Sequence, residues 1–346
     1  MPTCGSTLSF NTSARPLPWS WLVATTTEKL VEGGEPMRTV VTGGAGFIGS
    51  TVVDRLVERG DDILVIDDLS SGSEGNLKDA RNASTGSVEL EILDVAEERT
   101  SAVVADFRPD VVFHLAAQIN VTLSVEDPVN DARINVIGLL RVLEGARLGD
   151  ARKVVFTSSG AIYGDVDESQ LPLGEDTPPR PLSPYGVTKL TGAIYLEAYQ
   201  AMYGLSGTTL ALANVYGPRQ DPHGEAGVVA IFARRMLADR TCVVYGSGEQ
   251  PRDFVFVGDV ADAFLRAGDY AGGGLFNIGT GLETSVNQLY GAMASLSESP
   301  KDPERGAERM GEILRSSLKS TLAPEELGWA PLTSLEDGLS ETLDWF

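Results

Sequence analysis

From Arg38 onward, short apolar runs alternate with longer stretches in which apolar residues recur every third or fourth position. Thr39–Thr42, Ile63–Ile66, Val88–Ile92, Val111–His114, Lys153–Phe156 and Thr208–Ala213 read as strands, most of them apolar on both faces. Between them the helical period predicts a helix with Val52, Val53, Leu56 and Val57 inward, then Ala96–Phe107, and a long Pro128–Arg147 helix whose apolar positions include Ile134, Ile137, Leu140, Val142 and Leu143. A further helix, Ser183–Tyr203, opens at Ser183-Pro184, where proline costs little because its missing N–H would be unpaired there anyway. Strands buried on both faces and separated by helices imply a parallel sheet covered on each side, an α/β doubly wound parallel sheet of the Rossmann type.

Beyond Val215 the rhythm breaks. Residues 216–253 are rich in Gly, Pro and charge and hold one helix near Val228–Ala238, whereas Phe254–Val257, helix Asp259–Arg266 and strand Leu275–Ile278 look sheet-like again. Helices near Val286–Ser295 and Leu335–Trp345 follow. The expected organisation is a Rossmann domain over residues 37–214, rejoined by 254–280, and a smaller C-terminal α/β substrate-binding lid domain from 215–253 and 281–346. Residues 1–36, dominated by Pro, Ser, Thr and Gly, are expected to form a disordered extension, since the apolar island Trp19–Ala24 is shorter than a signal-peptide core.

Composition narrows the function. A net charge of −22 repels nucleic acid and anionic membrane, so a bound phosphate must be met by placed arginines or backbone N–H groups. Cys4 and Cys242 make no disulfide framework, and His114 and His223 form no metal motif, which fits a reducing cytoplasm and no metal. Apolar runs fall short of a membrane span.

Gly43, Gly46 and Gly49 follow a strand and open a helix, the context in which glycine lets the backbone approach a dinucleotide pyrophosphate and the helix N-terminus offers free N–H groups. Asp67 ends the second strand, where a carboxylate accepts from ribose hydroxyls and repels a 2′-phosphate, which argues for NAD over NADP. Tyr185 and Lys189 stand one helical turn apart, so an ammonium beside the phenol is expected to lower its pKa and let it move a proton near neutral pH.

The order and spacing of Gly43-x-x-Gly46-x-x-Gly49, Thr157-Ser158-Ser159-Gly-Ala-Ile-Tyr-Gly164 and Tyr185-x-x-x-Lys189 resemble the extended short-chain dehydrogenase/reductases, and among them the UDP-glucose (UDP-galactose) 4-epimerases. His114-Leu-Ala-Ala-Gln118, Asn214-Val-Tyr-Gly-Pro-Arg219, Arg252-Asp-Phe-Val-Phe-Val257 and Asn277-Ile-Gly-Thr-Gly281 extend the likeness over Met37–Phe346. The resemblance implies a catalytic Ser159, Tyr185 and Lys189. It implies NAD contacts from Gly43, Gly46, Phe47, Ile48, Gly49, Asp67, Asp68, Asp94, Val95, Leu115, Ala116, Ala117, Gln118, Asn135 and Ser158 as well as the catalytic pair. Asn214, Arg219, Arg252 and Arg309 are candidates to grip the UDP, with Ser159 on the sugar. The resemblance also suggests a homodimer built on the helices Pro128–Arg147 and Ser183–Tyr203.

Two departures bear on the substrate. Arg309 is followed by Met310 where many relatives have proline, and Ser316 falls where a bulky tyrosine closes the sugar pocket in some of them, which would leave room for a 2-acetamido group. A 4,6-dehydratase of the same family carries an Asp-Glu pair after the catalytic Ser/Thr, and this chain has Gly160-Ala161. A 4-reductase would use the same Ser-Tyr-Lys set, and a silent NAD-binding sensor would have no use for it.

Overall fold

The computed structural model describes residues 36–223, 227–297, 301–307 and 316–346. Apart from Pro36, the expected N-terminal extension lies outside these residues, and so does Arg309.

In chain order the first half runs β1 (Arg38–Thr42), α1 (Phe47–Arg59), β2 (Asp62–Asp67), α2 (Lys78–Asn82), β3 (Ser87–Ile92), α3 (Thr100–Phe107) and β4 (Val111–His114). It continues with α4 (Val121–Glu126), α5 (Pro128–Ala132), α6 (Leu139–Leu148), β5 (Lys153–Ser159), α7 (Pro184–Tyr203) and β6 (Ser206–Leu212). The second half adds β7 (Asn214–Tyr216), α8 (Val228–Leu237), β8 (Val243–Tyr245), β9 (Pro251–Arg252), β10 (Phe254–Phe256), α9 (Val257–Asp269) and β11 (Gly274–Ile278). It closes with β12 (Thr284–Ser285), α10 (Val286–Leu296), β13 (Glu304–Gly306) and α11 (Leu335–Trp345).

Seven strands form one sheet in the order β11-β6-β5-β4-β1-β2-β3, every pair parallel. Val40 and Val41 of β1, Val112 and Phe113 of β4 and Val154 and Val155 of β5 are fully buried, which is why these strands read as unbroken apolar runs. The strand order reverses between β1 and β4, leaving a crevice at their carboxyl ends, where ligands of such sheets bind. The architecture is the doubly wound α/β sheet that the alternation predicts.

Three details differ from the sequence reading. The long helix Pro128–Arg147 is interrupted by a wider π turn over Arg133–Gly138, which keeps Asn135 buried, its amide bonded to the backbone of Gln118 on both sides. The helix expected from Ala96 begins only at Thr100, because the Asp94 side chain accepts from Ala96 N–H and its carbonyl from Thr100 Oγ1, holding the intervening residues in turns. Helix α4 has no inward apolar period, since Val121, Leu123 and Val125 are exposed, and it escapes pattern reading for that reason.

The irregular second half builds a smaller layer. Strand β7 pairs with β10, β9 with β12 and β8 with β13, each outside the main sheet. Phe232 of α8, Val244, Leu289 and Met293 of α10 and Leu339 of α11 pack into its core. Phe254–Phe256 therefore pairs with β7 rather than with the large sheet, Val257 opens α9, and β11 then rejoins the large sheet. Among the described residues no helix is long and apolar enough to cross a membrane.

The C-terminal segment is anchored by Trp329, fully buried, whose indole N–H donates to the Asp259 carbonyl of α9 at 2.8 Å. Trp329→Ala should lower the unfolding free energy by about 3–5 kcal/mol in urea denaturation, from the lost burial and the cavity together.

Candidate active site

The site is assembled by how closely α7 approaches the sheet. A Cβ on Gly192 would lie 2.4 Å from the ring of Phe156 in β5, and one on Gly207 of β6 would lie 2.8 Å from Leu196 of α7, so glycine at both positions is what lets helix and strands touch. Ser183 caps the helix by accepting from Gly186 N–H at 3.1 Å, and Pro184 occupies its first turn. The first turns of α7 consequently face the carboxyl end of β5.

Lys189 is 2% exposed, with its Nζ donating to the Thr157 carbonyl at 2.9 Å and lying 5.2 Å from the Phe156 ring centroid and 5.8 Å from that of Tyr185. The Tyr185 phenol hydrogen-bonds the Ser159 side chain. Ser159 Oγ also accepts from Ala161 N–H at 3.2 Å, capping the short turn Gly160–Ile162. Ser158, buried beside it, donates to the Lys189 carbonyl at 3.4 Å. Ser159, Tyr185 and Lys189 are thus brought together at one strand end.

Their electrostatics differ from the sequence expectation. Burial pushes the Tyr185 phenol up to about 12, the Ser159 hydrogen bond pulling it down and the Asp131 charge pushing it further up. Burial brings Lys189 down to about 8, opposed by Asp131. Desolvation therefore outweighs the Ser159 hydrogen bond, and the phenol stays protonated at neutral pH. His114 of β4 is held neutral, down at about 3, by burial and by Lys189, and its Nδ1 meets Thr42 Oγ1 at 2.7 Å.

The β1–α1 turn is as close as backbone allows. Gly43 has φ +69°, and a Cβ there would lie 2.7 Å from the Ala116 nitrogen; a Cβ on Gly49 would lie 2.1 Å from the Gly43 carbonyl. Helix α1 is capped by Gly46 with no side-chain cap and no acid in its first turn, so its opening amides, at Phe47 and Ile48, have no partner within the helix and suit an anion. Asp67 Oδ2 accepts from Ala45 N–H and Oδ1 from Leu69 N–H, each at 2.9 Å, and each oxygen keeps a further lone pair for a ribose hydroxyl. Asp68 is exposed and turned to Ser70. Thr157 Oγ1, at the strand end beside Lys189, is buried without a hydrogen-bond partner among the described residues. These features fit a dinucleotide along the carboxyl edge.

The remaining cofactor candidates flank that edge. Asp94 pairs with Arg133 at 2.8 Å, and Val95 is buried against Gly138. Leu115 N–H donates to the Thr42 carbonyl and Ala116 N–H to Thr42 Oγ1. Ala117 follows, and Gln118 is held by Asn135 and by Asp131. Asp131, 1% exposed and bonded to Gln118, Asn135 and Thr188, escaped the sequence reading; its one signal is its place four residues before Asn135 on the same helical face.

Beside the smaller layer, Asn214 N–H donates to the Asp253 carbonyl at 2.9 Å, Asp253 N–H donates to the Ser316 carbonyl at 3.0 Å, and Arg252 and Ser316 form a bridge. The buried Asp253 carboxylate gathers the N–H groups of Thr280, Gly281 and Leu318. Asn214, Arg252 and Ser316 thus share one edge, and Leu318 reaches 3.4 Å from where a Cβ on Gly160 would stand. Arg219 is placed elsewhere: its Nη1 meets Asp54 of α1 at 2.7 Å, from a backbone with φ +69°. Among the described residues no cluster of His, Cys, Asp and Glu has metal-site form.

Residues 39–279 match the NAD dependent epimerase/dehydratase family. The UDP-glucose 4-epimerase of Mycolicibacterium smegmatis is 50% identical over 312 residues, 90% of this chain and 98% of that protein. The structure of UDP-glucose 4-epimerase from Thermotoga maritima with UDP-glucose superposes with a TM-score of 0.84 at 44% identity, covering 89% of this chain and 98% of that one. The UDP-N-acetylglucosamine 4-epimerase of Methanobrevibacter ruminantium, in complex with UDP-N-acetylmuramic acid, also gives a TM-score of 0.84, at 32% identity and 90% and 98% coverage.

Overpacking a tight turn costs about 1–3 kcal/mol. Gly49→Ala should therefore weaken NAD binding by roughly 10- to 100-fold in isothermal titration calorimetry; an unchanged affinity would contradict the cradle.

Proposed function

This chain belongs to the NAD dependent epimerase/dehydratase family, and we propose that within it the protein inverts C4 of a UDP-hexose, interconverting UDP-glucose and UDP-galactose through a transient 4-keto sugar. The observation that carries this reading is the joining of Ser159, Tyr185 and Lys189 at the carboxyl end of β5, beside the Gly43–Gly49 turn, with Gly160 and Ala161 following the serine.

NAD, which the Gly43–Gly49 turn and Asp67 would hold, would supply a reversible hydride acceptor for the sugar, and its positive ring would favour the Tyr185 phenolate that the protein alone disfavours. Ser159 hydrogen-bonds the 4′-OH and Tyr185 takes its proton, then gives it back. Lys189, fixed on the Thr157 carbonyl, holds a cation next to the phenol and would help hold the nicotinamide ribose. Inversion requires the keto sugar to turn while the nucleotide stays put, so the grip belongs on the UDP. Asn214, Arg252 and Arg309 are assigned to it, whereas Arg219, engaged with Asp54, fastens the lid to α1. Dehydration needs an acid and a base to expel the 6-OH, and Gly160 and Ala161 supply neither. A 4-reductase would release its cofactor at each turnover.

Ser316, in register with Arg252, leaves the sugar pocket open to a 2-acetamido group, and the similarity to a UDP-N-acetylglucosamine 4-epimerase supports acceptance of UDP-GlcNAc and UDP-GalNAc. The exposed apolar side chains Val121, Leu123, Val125, Val187, Ile194 and Met202 on α4 and α7 support a homodimer.

Purified protein should convert UDP-galactose to UDP-glucose with no added NAD. Tyr185→Phe should retain NAD and UDP binding and lose about 10²- to 10⁴-fold in kcat; undiminished turnover would remove Tyr185 from the mechanism. Ser316→Tyr should abolish turnover of acetamido sugars and spare UDP-galactose, whereas equal loss of both would count against the pocket assignment.

A further inference from the structure

A buried carboxylate stands beside the catalytic pair without a part in the chemistry described above. Asp131 of α5 accepts from Gln118 Nε2 at 2.8 Å and Asn135 Nδ2 at 3.1 Å on one oxygen, and from Thr188 Oγ1 at 3.0 Å on the other. One side chain thus ties together the loop after β4, the π turn and α7. All three donors are neutral, and a charge buried among neutral donors is costly unless a cation lies within electrostatic reach. Thr188 immediately precedes Lys189, whose own hydrogen bond goes to the Thr157 carbonyl rather than to Asp131. The two charges are coupled through space.

We propose that Asp131 is a positioning residue whose hydrogen bonds hold the Gln118 loop and the π turn in register with α7, and whose buried carboxylate serves as the counter-charge of Lys189. The charged or titratable groups facing this pair are Asp131 from α5 and His114 from β4, and His114 is held neutral. The Asp131 carboxylate raises the proton affinity of both Lys189 and Tyr185. Burial brings Lys189 down to about 8 against the pull of the Asp131 carboxylate, so removing that charge lowers it further. Activity needs Tyr185 deprotonated and Lys189 protonated. Removing the negative charge lowers both affinities and moves both limbs of the pH profile to lower pH. A purely structural role would lower the profile without displacing it.

The kinetic consequence rests on the epimerase reading; the protonation of Lys189 does not. The test follows the Cε resonance of Lys189 in ¹³C-lysine-labelled, NAD-bound protein, assigned with Lys189→Arg, together with kcat/KM for UDP-galactose against pH. In Asp131→Asn the Lys189 midpoint and both kinetic limbs should move down by about one pH unit or more. Thr188→Val, which keeps the charge and removes the hydroxyl's bonds to Asp131, Asn135 and the Tyr185 carbonyl, should lower kcat with the midpoint in place. An unmoved Lys189 midpoint in folded Asp131→Asn overturns the proposal. If Asp131→Asn does not fold, Asp131→Glu must leave both limbs in place while lowering kcat, and movement of either limb there overturns it too. A shifted Lys189 resonance in a protein that does not turn over UDP-galactose would sustain the role of Asp131 and sink the epimerase reading instead.

Discussion

The burial of Lys189 is the constraint on which the site depends. An ammonium at 2% exposure is tolerable only where its protons find acceptors and its charge a partner, and here the Thr157 carbonyl supplies the first and Asp131 the second. Both follow from helix-on-sheet packing: Gly192 lets α7 settle onto Phe156, so the lysine reaches the end of β5 and the phenol one turn earlier meets Ser159. Ser159, Tyr185 and Lys189 stand on a strand and a helix packed against each other, a more rigid mount than a loop would give.

The cofactor crevice and the smaller layer are joined to that mount through backbone. The β1–α1 turn presses against the loop after β4 at the point where strand order reverses, leaving room for glycine alone at positions 43 and 49. On the other side the buried Asp253 gathers Thr280, Gly281 and Leu318, which sets the segment carrying Ser316 next to Arg252. Arg219 and Asp54 add a second tie, between the smaller layer and α1. This end of the site is therefore heavily bonded, in keeping with the proposed inversion, in which UDP stays put while the sugar turns.

Much of this was legible in the chain because it is local. Strands β1, β2, β4 and β5 are buried on both faces and show as unbroken apolar runs; the glycine triplet and the Tyr185/Lys189 spacing each lie within one turn or one helix. What escaped depends on partners far along the sequence. Asp131 draws its meaning from Thr188, 57 residues on, and the π turn from the pairing of Asn135 with Gln118, 17 residues back. Helix α4 turns its apolar residues outward, so no inward period marks it. Arg219 has the charge of a phosphate ligand, and only the fold reveals Asp54 beside it. The Tyr185 phenol was expected below its ordinary value because the spacing displays the ammonium and hides the desolvation, which is the larger effect.

The central claim is that one hydride leaves C4 of the sugar and returns to the same carbon within a closed site. Incubating the protein with UDP-galactose deuterated at C4, and reading the product by NMR and mass spectrometry, tests it directly. The account predicts UDP-glucose that keeps its deuterium at C4, with none released to water; loss of the label to solvent, or its appearance at another carbon, would contradict it.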